Sequence, residues 1–227
     1  MTGSDMAEAS RSSLERAAEC DAVVLAGGRG TRLGGVNKAA ILLNGERLVD
    51  RVVAAARQSG ATRIMVVGPD TAQSHNTILV REDPPFTGPL AALVAALPEV
   101  QAETLLLLSC DLVRPREVCH ALATQPISDG FDGIVLRDVD LRPQWLAAVY
   151  RVAALREGVA RLGASIDDAP LRALLSDLRL EWLDAPPRVT ADIDENVDLE
   201  QARSALERGS AAFASKSASH ENEDSHG

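Results

Sequence analysis

Between residues 20 and 209, short apolar runs alternate with segments whose apolar residues recur at helical spacing. The runs predict strands at 21–26, 62–68, 77–81, 104–109, 131–136, 145–150 and 179–183. The spaced patterns predict helices at 47–58, 89–97, 115–123, 152–162, 170–177 and 195–207. This alternation predicts an α/β fold with a doubly wound, mostly parallel, Rossmann-like sheet that binds its ligands at the carboxyl ends of the strands.

Both ends of the chain differ in composition from this central part. Residues 1–19 are small, polar and charged, which predicts a flexible N-terminal extension. Residues 210–227 are rich in Ser, Ala and Glu, which predicts a disordered tail in which His220 and His226 bind no metal. No internal repeat or linker divides residues 20–209, so we expect a single domain there.

A glycine-rich loop follows the first predicted strand. The strand leads into Gly27-Gly28-Arg29-Gly30-Thr31-Arg32-Leu33-Gly34-Gly35-Val36-Asn37-Lys38. Glycines let backbone N–H groups curl around a polyphosphate, and a compact ammonium suits a phosphate. The spacing excludes two common motifs: Lys38 is not followed by the Ser or Thr of a Walker A loop, and Leu33 stands where a dinucleotide fingerprint needs glycine.

This loop resembles that of the molybdenum cofactor guanylyltransferases. Their pattern is Leu-Ala-Gly-Gly, three residues, Arg-Met-Gly-Gly, two residues, Lys, and the present sequence follows it without a gap. Leu33 replaces the methionine, and Asn37 stands where the family usually has aspartate. The resemblance covers roughly residues 21–207 and implies a nucleotidyltransferase that uses Mg²⁺ to move GMP from GTP to the terminal phosphate of molybdopterin, releasing pyrophosphate.

The resemblance also assigns roles to the loop residues. It implies that Lys38 balances charge on the α-phosphoryl group, and that Arg29 and Arg32 hold the leaving pyrophosphate. The residues expected to support the nucleotide with their backbone are Leu25, Ala26, Gly27 and Gly28.

Three aspartates extend the predicted site. Asp111 follows the apolar run 105–108, and we expect it to bind Mg²⁺; capping of the next helix is the alternative. By resemblance, Asp83, in the segment that ends Gly88-Pro89, contacts the guanine nucleotide. Asp192 is a candidate second metal ligand, although Asp192 or Asp194 could instead cap the helix 195–207.

Two further features of the sequence concern the acceptor side and the cysteines. The segment 142–150 corresponds to the family's acceptor side, where Trp145 either packs in the core or stacks on the pterin. Cys110 is expected to be a buried neighbour of Asp111 and not a nucleophile. With Cys20 and Cys119, it is read as a reduced intracellular thiol, since no Cys-x-x-Cys spacing occurs.

Composition limits the partners. The 227 residues carry a net charge of −10, which disfavours a general nucleic-acid or anionic-membrane surface. No apolar stretch is long enough for a bilayer, and the start lacks a signal-peptide core, so a cytoplasmic protein is expected. Its expected partners are GTP, molybdopterin or molybdenum cofactor, and transiently the proteins that deliver or accept that cofactor.

Three alternatives remain open. A cytidylyltransferase would use CTP on the same or another phosphorylated acceptor, but such relatives commonly have Leu-Ala-Ala-Gly, so Gly27 favours guanine. A sugar-1-phosphate nucleotidyltransferase usually has a proline before its lysine, where this chain has Asn37. A non-catalytic GTP-binding module is the third, and the presence of Lys38 and Asp111 argues against it.

Overall fold

The computed structural model describes residues 20–27, 38–84, 87–163, 166, 169–187, 189–192 and 200. The strands are β1 (Cys20–Leu25), β2 (Leu42–Leu43), β3 (Glu46–Arg47), β4 (Ile64–Val67), β5 (Ile78–Val80), β6 (Thr104–Ser109), β7 (Gly133–Arg137), β8 (Pro143–Arg151) and β9 (Leu180–Asp184). The α-helices of the described part are α1 (Leu48–Gln58), α2 (Pro89–Ala96), α3 (Pro115–Ala123), α4 (Val152–Leu162) and α5 (Leu171–Leu175).

The predicted elements are confirmed wherever the structure describes them. Each of the seven predicted strands is present, with ends that differ by at most two residues, and so are the first five predicted helices. The predicted helix 195–207 lies, apart from residue 200, outside the described residues, as do the extension 1–19 and the tail 210–227. The single-domain boundaries stay a prediction.

Seven of the strands form one mostly parallel sheet in the order β5-β4-β1-β6-β8-β7-β9. Strand β1 runs parallel to both β4 and β6, and β7 runs parallel to β9. Only β8 is antiparallel to its neighbours, β6 and β7, among these strands. The chain leaves β1 on one side to form β4 and β5 and crosses back to β6 on the other side, so a topological switch point lies between β1 and β6.

Helices cover both faces of the sheet, as a doubly wound fold requires. On one face, α1 and α3 pack on the even-numbered leucines of β6, Leu106 and Leu108. On the other face, α2, α4 and α5 pack on Leu105 and Leu107. All four leucines are buried, which explains why this strand is a continuous apolar run instead of an alternating pattern.

The small hairpin of β2 and β3 turns at Asn44-Gly45. Both residues have positive φ, 54° and 82°, as the tightest hairpin turns require. Asparagine and glycine adopt this conformation at low cost, which explains the sequence at the turn. The hairpin connects the turn that begins at Lys38 to helix α1.

Candidate active site

The candidate site lies where β1 and β6 end side by side. Leu25 and Ser109 are the last paired residues of these strands. One residue further, the Cys110 N–H donates a hydrogen bond of 3.1 Å to the Leu25 carbonyl oxygen. The start of the glycine-rich loop and Asp111 are therefore held together at the switch point, where open α/β sheets bind ligands.

Lys38 and Asp111 form an ion pair at this point. The Lys38 Nζ donates to Asp111 Oδ2 at 2.8 Å, although 73 positions separate them in sequence. The Ser109 hydroxyl donates to the other carboxylate oxygen, Oδ1. Asp111 is buried, whereas the Lys38 side chain is 24% exposed. A buried carboxylate is thus fixed by two donors, and its cation has a flexible stem that reaches solvent.

The structure is at odds with the alternative that Asp111 caps the following helix. Helix α3 begins at Pro115, its N-cap residue is Arg114, and no side chain makes a capping hydrogen bond there. The Asp111 carboxylate is engaged by Lys38 and Ser109 instead. The metal role predicted for Asp111 stays a prediction.

Asp192 lies next to Asp111 through the backbone. Leu112 and Asp192 form an isolated antiparallel β-bridge, and the Val113 N–H donates to the Ala191 carbonyl oxygen at 2.9 Å. This bridge places Asp192, the second predicted metal ligand, opposite Leu112, the residue that follows Asp111. Asp194 lies outside the described residues, so its predicted capping role stays a prediction.

The end of β4 contacts the backbone of Ala26 and Gly27, where the glycine-rich loop begins. The Ala26 N–H donates to the Val67 carbonyl oxygen at 2.8 Å. A Cβ placed on Gly68 would lie 3.1 Å from the Ala26 carbonyl carbon and oxygen, a tight contact that would require the Ala26 backbone to shift by a few tenths of an ångström. Among the described residues, a Cβ on Gly27 would meet the Val67 oxygen, at an ordinary 3.9 Å. Packing within the described residues therefore favours glycine at Gly68 more strongly than at Gly27.

The remaining predicted residues are not all brought to this point. Asp83 is exposed and follows β5, two strands from β1 on the same edge of the sheet. Gly28, Arg29 and Arg32 lie outside the described residues, so their predicted roles stay predictions.

Two contributors to the site were missed by the sequence reasoning. Ser109 orients the Asp111 carboxylate, and its signal was its place as the first polar residue after the leucine run. Gly68, which directly follows β4, allows that strand to lie close to the start of the loop at Ala26.

The cysteines behave as expected of reduced thiols. All three are free, with Cys110 and Cys119 buried. Burial raises the pKa of the Cys110 thiol strongly, and the nearby Asp111 charge raises it further. A thiol held protonated is a poor nucleophile, which supports the structural role expected for Cys110.

Fold and site together define a nucleotide-binding protein of the nucleotidyltransferase class. The sequence matches the family described as the MobA-like NTP transferase domain over residues 22–182, and the chain belongs to this family. The resemblance to molybdenum cofactor guanylyltransferases is thereby confirmed at the level of the family. Among the described residues, no helix is long and apolar enough to cross a membrane.

Individual relatives agree with this assignment. The chain is 35% identical over 140 residues to a molybdenum cofactor guanylyltransferase from Acidiphilium cryptum, covering 59% of this chain and 67% of that protein. It is 31% identical over 110 residues to one from Shewanella sp. (strain MR-4), covering 46% of this chain and 55% of that protein. The matches thus span between about half and two thirds of these relatives.

The fold is also that of solved structures. Molybdopterin-guanine dinucleotide biosynthesis protein A from Archaeoglobus fulgidus superposes with a TM-score of 0.65 at 19% identity. The superposition covers 83% of this chain and 99% of that one. At this identity the likeness concerns the fold, and it confirms the predicted nucleotidyltransferase architecture.

Proposed function

We propose that this protein transfers GMP from GTP to the terminal phosphate of molybdopterin, with Mg²⁺, and releases pyrophosphate. The observation that carries the proposal is the Lys38–Asp111 pair, which joins the end of the glycine-rich loop to the end of β6 at the switch point. Family membership and the names of the relatives support the choice of nucleotide and acceptor.

The donor groups at this point fit a magnesium ion. Mg²⁺ is usually bound by one or two carboxylates together with substrate phosphates and water, and not by a complete protein cage. Within the described residues there is no group of three or more His, Cys, Asp or Glu side chains suited to a metal. Asp111, with Asp192 adjacent through the β-bridge, would hold the ion, which would supply positive charge to the triphosphate.

The reaction needs positioning more than proton transfer. A terminal phosphate oxygen of the acceptor attacks the α-phosphorus of GTP, and the bond to the β-phosphate oxygen breaks with its electron pair on pyrophosphate. The acceptor phosphate is already ionised at neutral pH, so no general base is required. The Lys38 ammonium would move from Asp111 to the phosphoryl oxygens, which its four-carbon stem permits, and stabilise the charge that develops there.

Release of pyrophosphate from a panel of nucleotides tests this function. GTP, CTP and ATP are each incubated with Mg²⁺ and either molybdopterin or a sugar 1-phosphate. We expect turnover with GTP and molybdopterin, and its loss on chelation of Mg²⁺. Equal or faster turnover with CTP would show that the protein is not a guanylyltransferase. Turnover with the sugar 1-phosphate and none with molybdopterin would show that the acceptor is a sugar phosphate. No release of pyrophosphate from any pair would refute nucleotidyl transfer itself.

The Gly27→Ala variant tests whether Gly27 determines the preference for GTP over CTP. Its φ lies outside the left-handed region, and among the described residues an added Cβ makes an ordinary contact at 3.9 Å, so we expect the fold to tolerate alanine. We expect an unchanged melting temperature but a lower kcat/KM ratio of GTP to CTP, because the methyl group occupies space open to the ligand. An unchanged ratio would show that Gly27 does not select the base.

A further inference from the structure

A cavity opens at the edge of the sheet opposite the candidate active site. It encloses about 470 Å³ and reaches the sheet at Cys20 and Thr104, the first residues of β1 and β6. These two strands are parallel and carry the candidate active site at their carboxyl ends. The cavity is therefore separated from that site by the length of a six-residue strand, about 17 Å at 3.3 Å per residue.

The cavity lies where two helices end short of this edge. Helix α1 ends at Gln58, and Gly60, with a φ of 98°, turns the chain towards β4. Helix α3 ends at Ala123, and the Thr124 hydroxyl that follows donates to the His120 carbonyl oxygen at 3.0 Å. The face of the sheet between the two helix ends is left partly uncovered.

The described lining of the cavity is uncharged and apolar at its floor. The floor consists of Leu106, Leu122 and Val149, which belong to the core on this face of the sheet. No described lining residue is an Asp, Glu, Lys, Arg or His. The hydroxyls of Ser59 and Thr124 donate to carbonyl oxygens at the ends of α1 and α3, so they are satisfied by the protein. An apolar group can therefore enter without leaving these hydroxyls unpaired.

A groove between α1 and α3 continues the cavity. It encloses about 410 Å³, and its lining shares Ser59, Ala123 and Thr124 with that of the cavity. The groove also contains Arg116 and His120, which are exposed. Because these two residues are one helical turn apart, they lie on the same face of α3. The cavity thus opens into a groove that offers a guanidinium and an imidazole.

The charge of Arg116 is available to a ligand. No described residue forms an ion pair with it, because the one carboxylate of α3, Glu117, is paired with Arg114 at 3.3 Å. The one carboxylate of α1, Asp50, is bonded to Arg47. In a protein with a net charge of −10, an arginine in a groove without a carboxylate partner indicates an anionic ligand.

The helix ends determine how such a ligand would be oriented. The last carbonyl groups of α1 and α3 point towards the cavity, and their partial negative charge disfavours an anion there. Arg116 lies in the first turn of α3, about 10 Å from Ala123 at a rise of 1.5 Å per residue. The acid group should therefore lie in the groove and the apolar body in the cavity.

We propose that the groove and the cavity form one binding site for a small amphipathic carboxylate, which we call the amphiphile site. The carboxylate is bound by Arg116 and His120, and the apolar body packs on Leu106 and Leu122. The amphiphile site is independent of the proposed function, because it contains none of the residues predicted to act on the nucleotide or the acceptor.

Calorimetric titration with octanoate tests the site. Octanoate has a single carboxylate and an apolar chain of the required length, and we expect saturable binding to one site on the full chain. Octanamide keeps the chain without the charge, and acetate keeps the charge without the chain. Each should bind about 10-fold more weakly or worse, because each loses one of the two interactions. Inorganic phosphate should not compete with octanoate.

Two variants separate the two parts of the site. Arg116→Gln should weaken octanoate binding about 10-fold and leave octanamide binding unchanged, a difference that a merely structural role would not produce. Ala123→Leu narrows the junction of groove and cavity, so it should weaken both ligands. The matched control is Arg172→Gln, which removes an exposed arginine of α5 on the opposite face of the sheet and should change neither affinity. All three variants should melt within a few degrees of the wild type.

Proton NMR locates the bound ligand. The sequence contains 4 histidines, and the ring signal of His120 is identified by its loss in His120→Gln. Octanoate should shift this signal along the same saturation curve that calorimetry gives. The signal of His75, which is not part of either lining, should stay unchanged.

Several results would overturn the proposal. These are the absence of saturable octanoate binding up to about 10 mM, or binding that both Arg116→Gln and Ala123→Leu leave unchanged. Equal affinity for octanamide would refute the carboxylate, and competition by inorganic phosphate would show a general anion site instead. None of these measurements involves turnover, so a failure of the proposed guanylyl transfer would not affect them.

Discussion

Asp111→Asn separates the metal role proposed for Asp111 from a purely structural one. Asparagine keeps the side-chain volume and one oxygen that can accept from Lys38, but it removes the charge. At an N–O distance of 2.8 Å and an effective dielectric of about 20, the gross attraction between Lys38 and Asp111 is about 6 kcal/mol. Desolvation offsets most of this attraction in a buried pair.

The expected loss of stability is therefore small. Lys38 is 24% exposed and can turn towards water when its partner is neutral, so the penalty of about 3–5 kcal/mol for a stranded buried charge is not reached. We expect the free energy of unfolding to fall by about 1–2 kcal/mol, which lowers the melting temperature of a domain of this size by roughly 2–8 °C. The variant stays folded at 25 °C.

The expected loss of activity is much larger. Removing one preorganised charge at a reacting centre typically costs about 10²-fold in kcat. A neutral amide is also a weak ligand for a hard cation, so half-saturation should need about 10-fold more Mg²⁺ or above. Pyrophosphate release is measured across a Mg²⁺ titration for the wild type and Asp111→Asn.

Asp50 offers a matched control outside the predicted site. Its carboxylate is bonded by Arg47 and by the Ser74 hydroxyl, the same combination of cation and hydroxyl that holds Asp111. Asp50→Asn should change stability but leave the Mg²⁺ titration unchanged. If Asp111→Asn also showed the wild-type Mg²⁺ dependence, the metal role of Asp111 would be refuted.

Three further variants test the site and its support. Lys38→Ala should lower kcat about 10²-fold with a melting temperature within a few degrees of wild type, and near-normal turnover would remove the lysine from the mechanism. Gly68→Ala should raise the KM for GTP and lower the free energy of unfolding by about 1–3 kcal/mol, because the alanine methyl group would meet the Ala26 peptide at 3.1 Å. A wild-type KM together with wild-type stability would contradict the packing argument. Burial would raise the pKa of Asp50, but hydrogen bonds from Arg47 and Ser74 outweigh burial and hold the pKa below the ordinary value of an aspartate. These bonds therefore stabilise the fold above that ordinary pKa, and their contribution is lost as the pH falls through the lowered pKa. Urea unfolding at pH 7 and pH 3 should then show that the destabilisation by Asp50→Asn shrinks at the lower pH, and an equal difference at both would refute the linkage.

Local patterns were sufficient to predict the elements. The run from Leu105 to Leu108 is buried on both faces of the sheet, and a strand in that position needs apolar side chains at successive residues. Helix α1 shows its buried stripe at helical spacing because only one of its faces meets the sheet. Such signals come from neighbouring residues, so they are visible without the fold.

Contacts between distant segments were beyond the sequence. Nothing in the spacing of Lys38 and Asp111 shows that their side chains meet at 2.8 Å; the contact arises because β1 and β6 are adjacent in the sheet. The sequence indicated both residues as site candidates, Lys38 because it ends a glycine-rich loop and Asp111 because it follows a buried strand. The strand order then decided that they form one site.

The contact between Trp145 and Trp182 depends still more on tertiary structure. Trp145 and Trp182 belong to strands that do not pair with each other, and the irregular pairing of β8 with β7 was not predictable from residues 143–151. Arg137 and Asp184 come together only because β7 and β9 are parallel and in register. Periodicity thus determined the elements and the fold class, and the glycine-rich motif predicted a phosphate-binding loop, because these are properties of consecutive residues. The partner of Asp111, the close contact of Gly68 with Ala26 and the exposed indole of Trp182 were decided by strand order and register, which depend on how the whole chain buries its apolar surface.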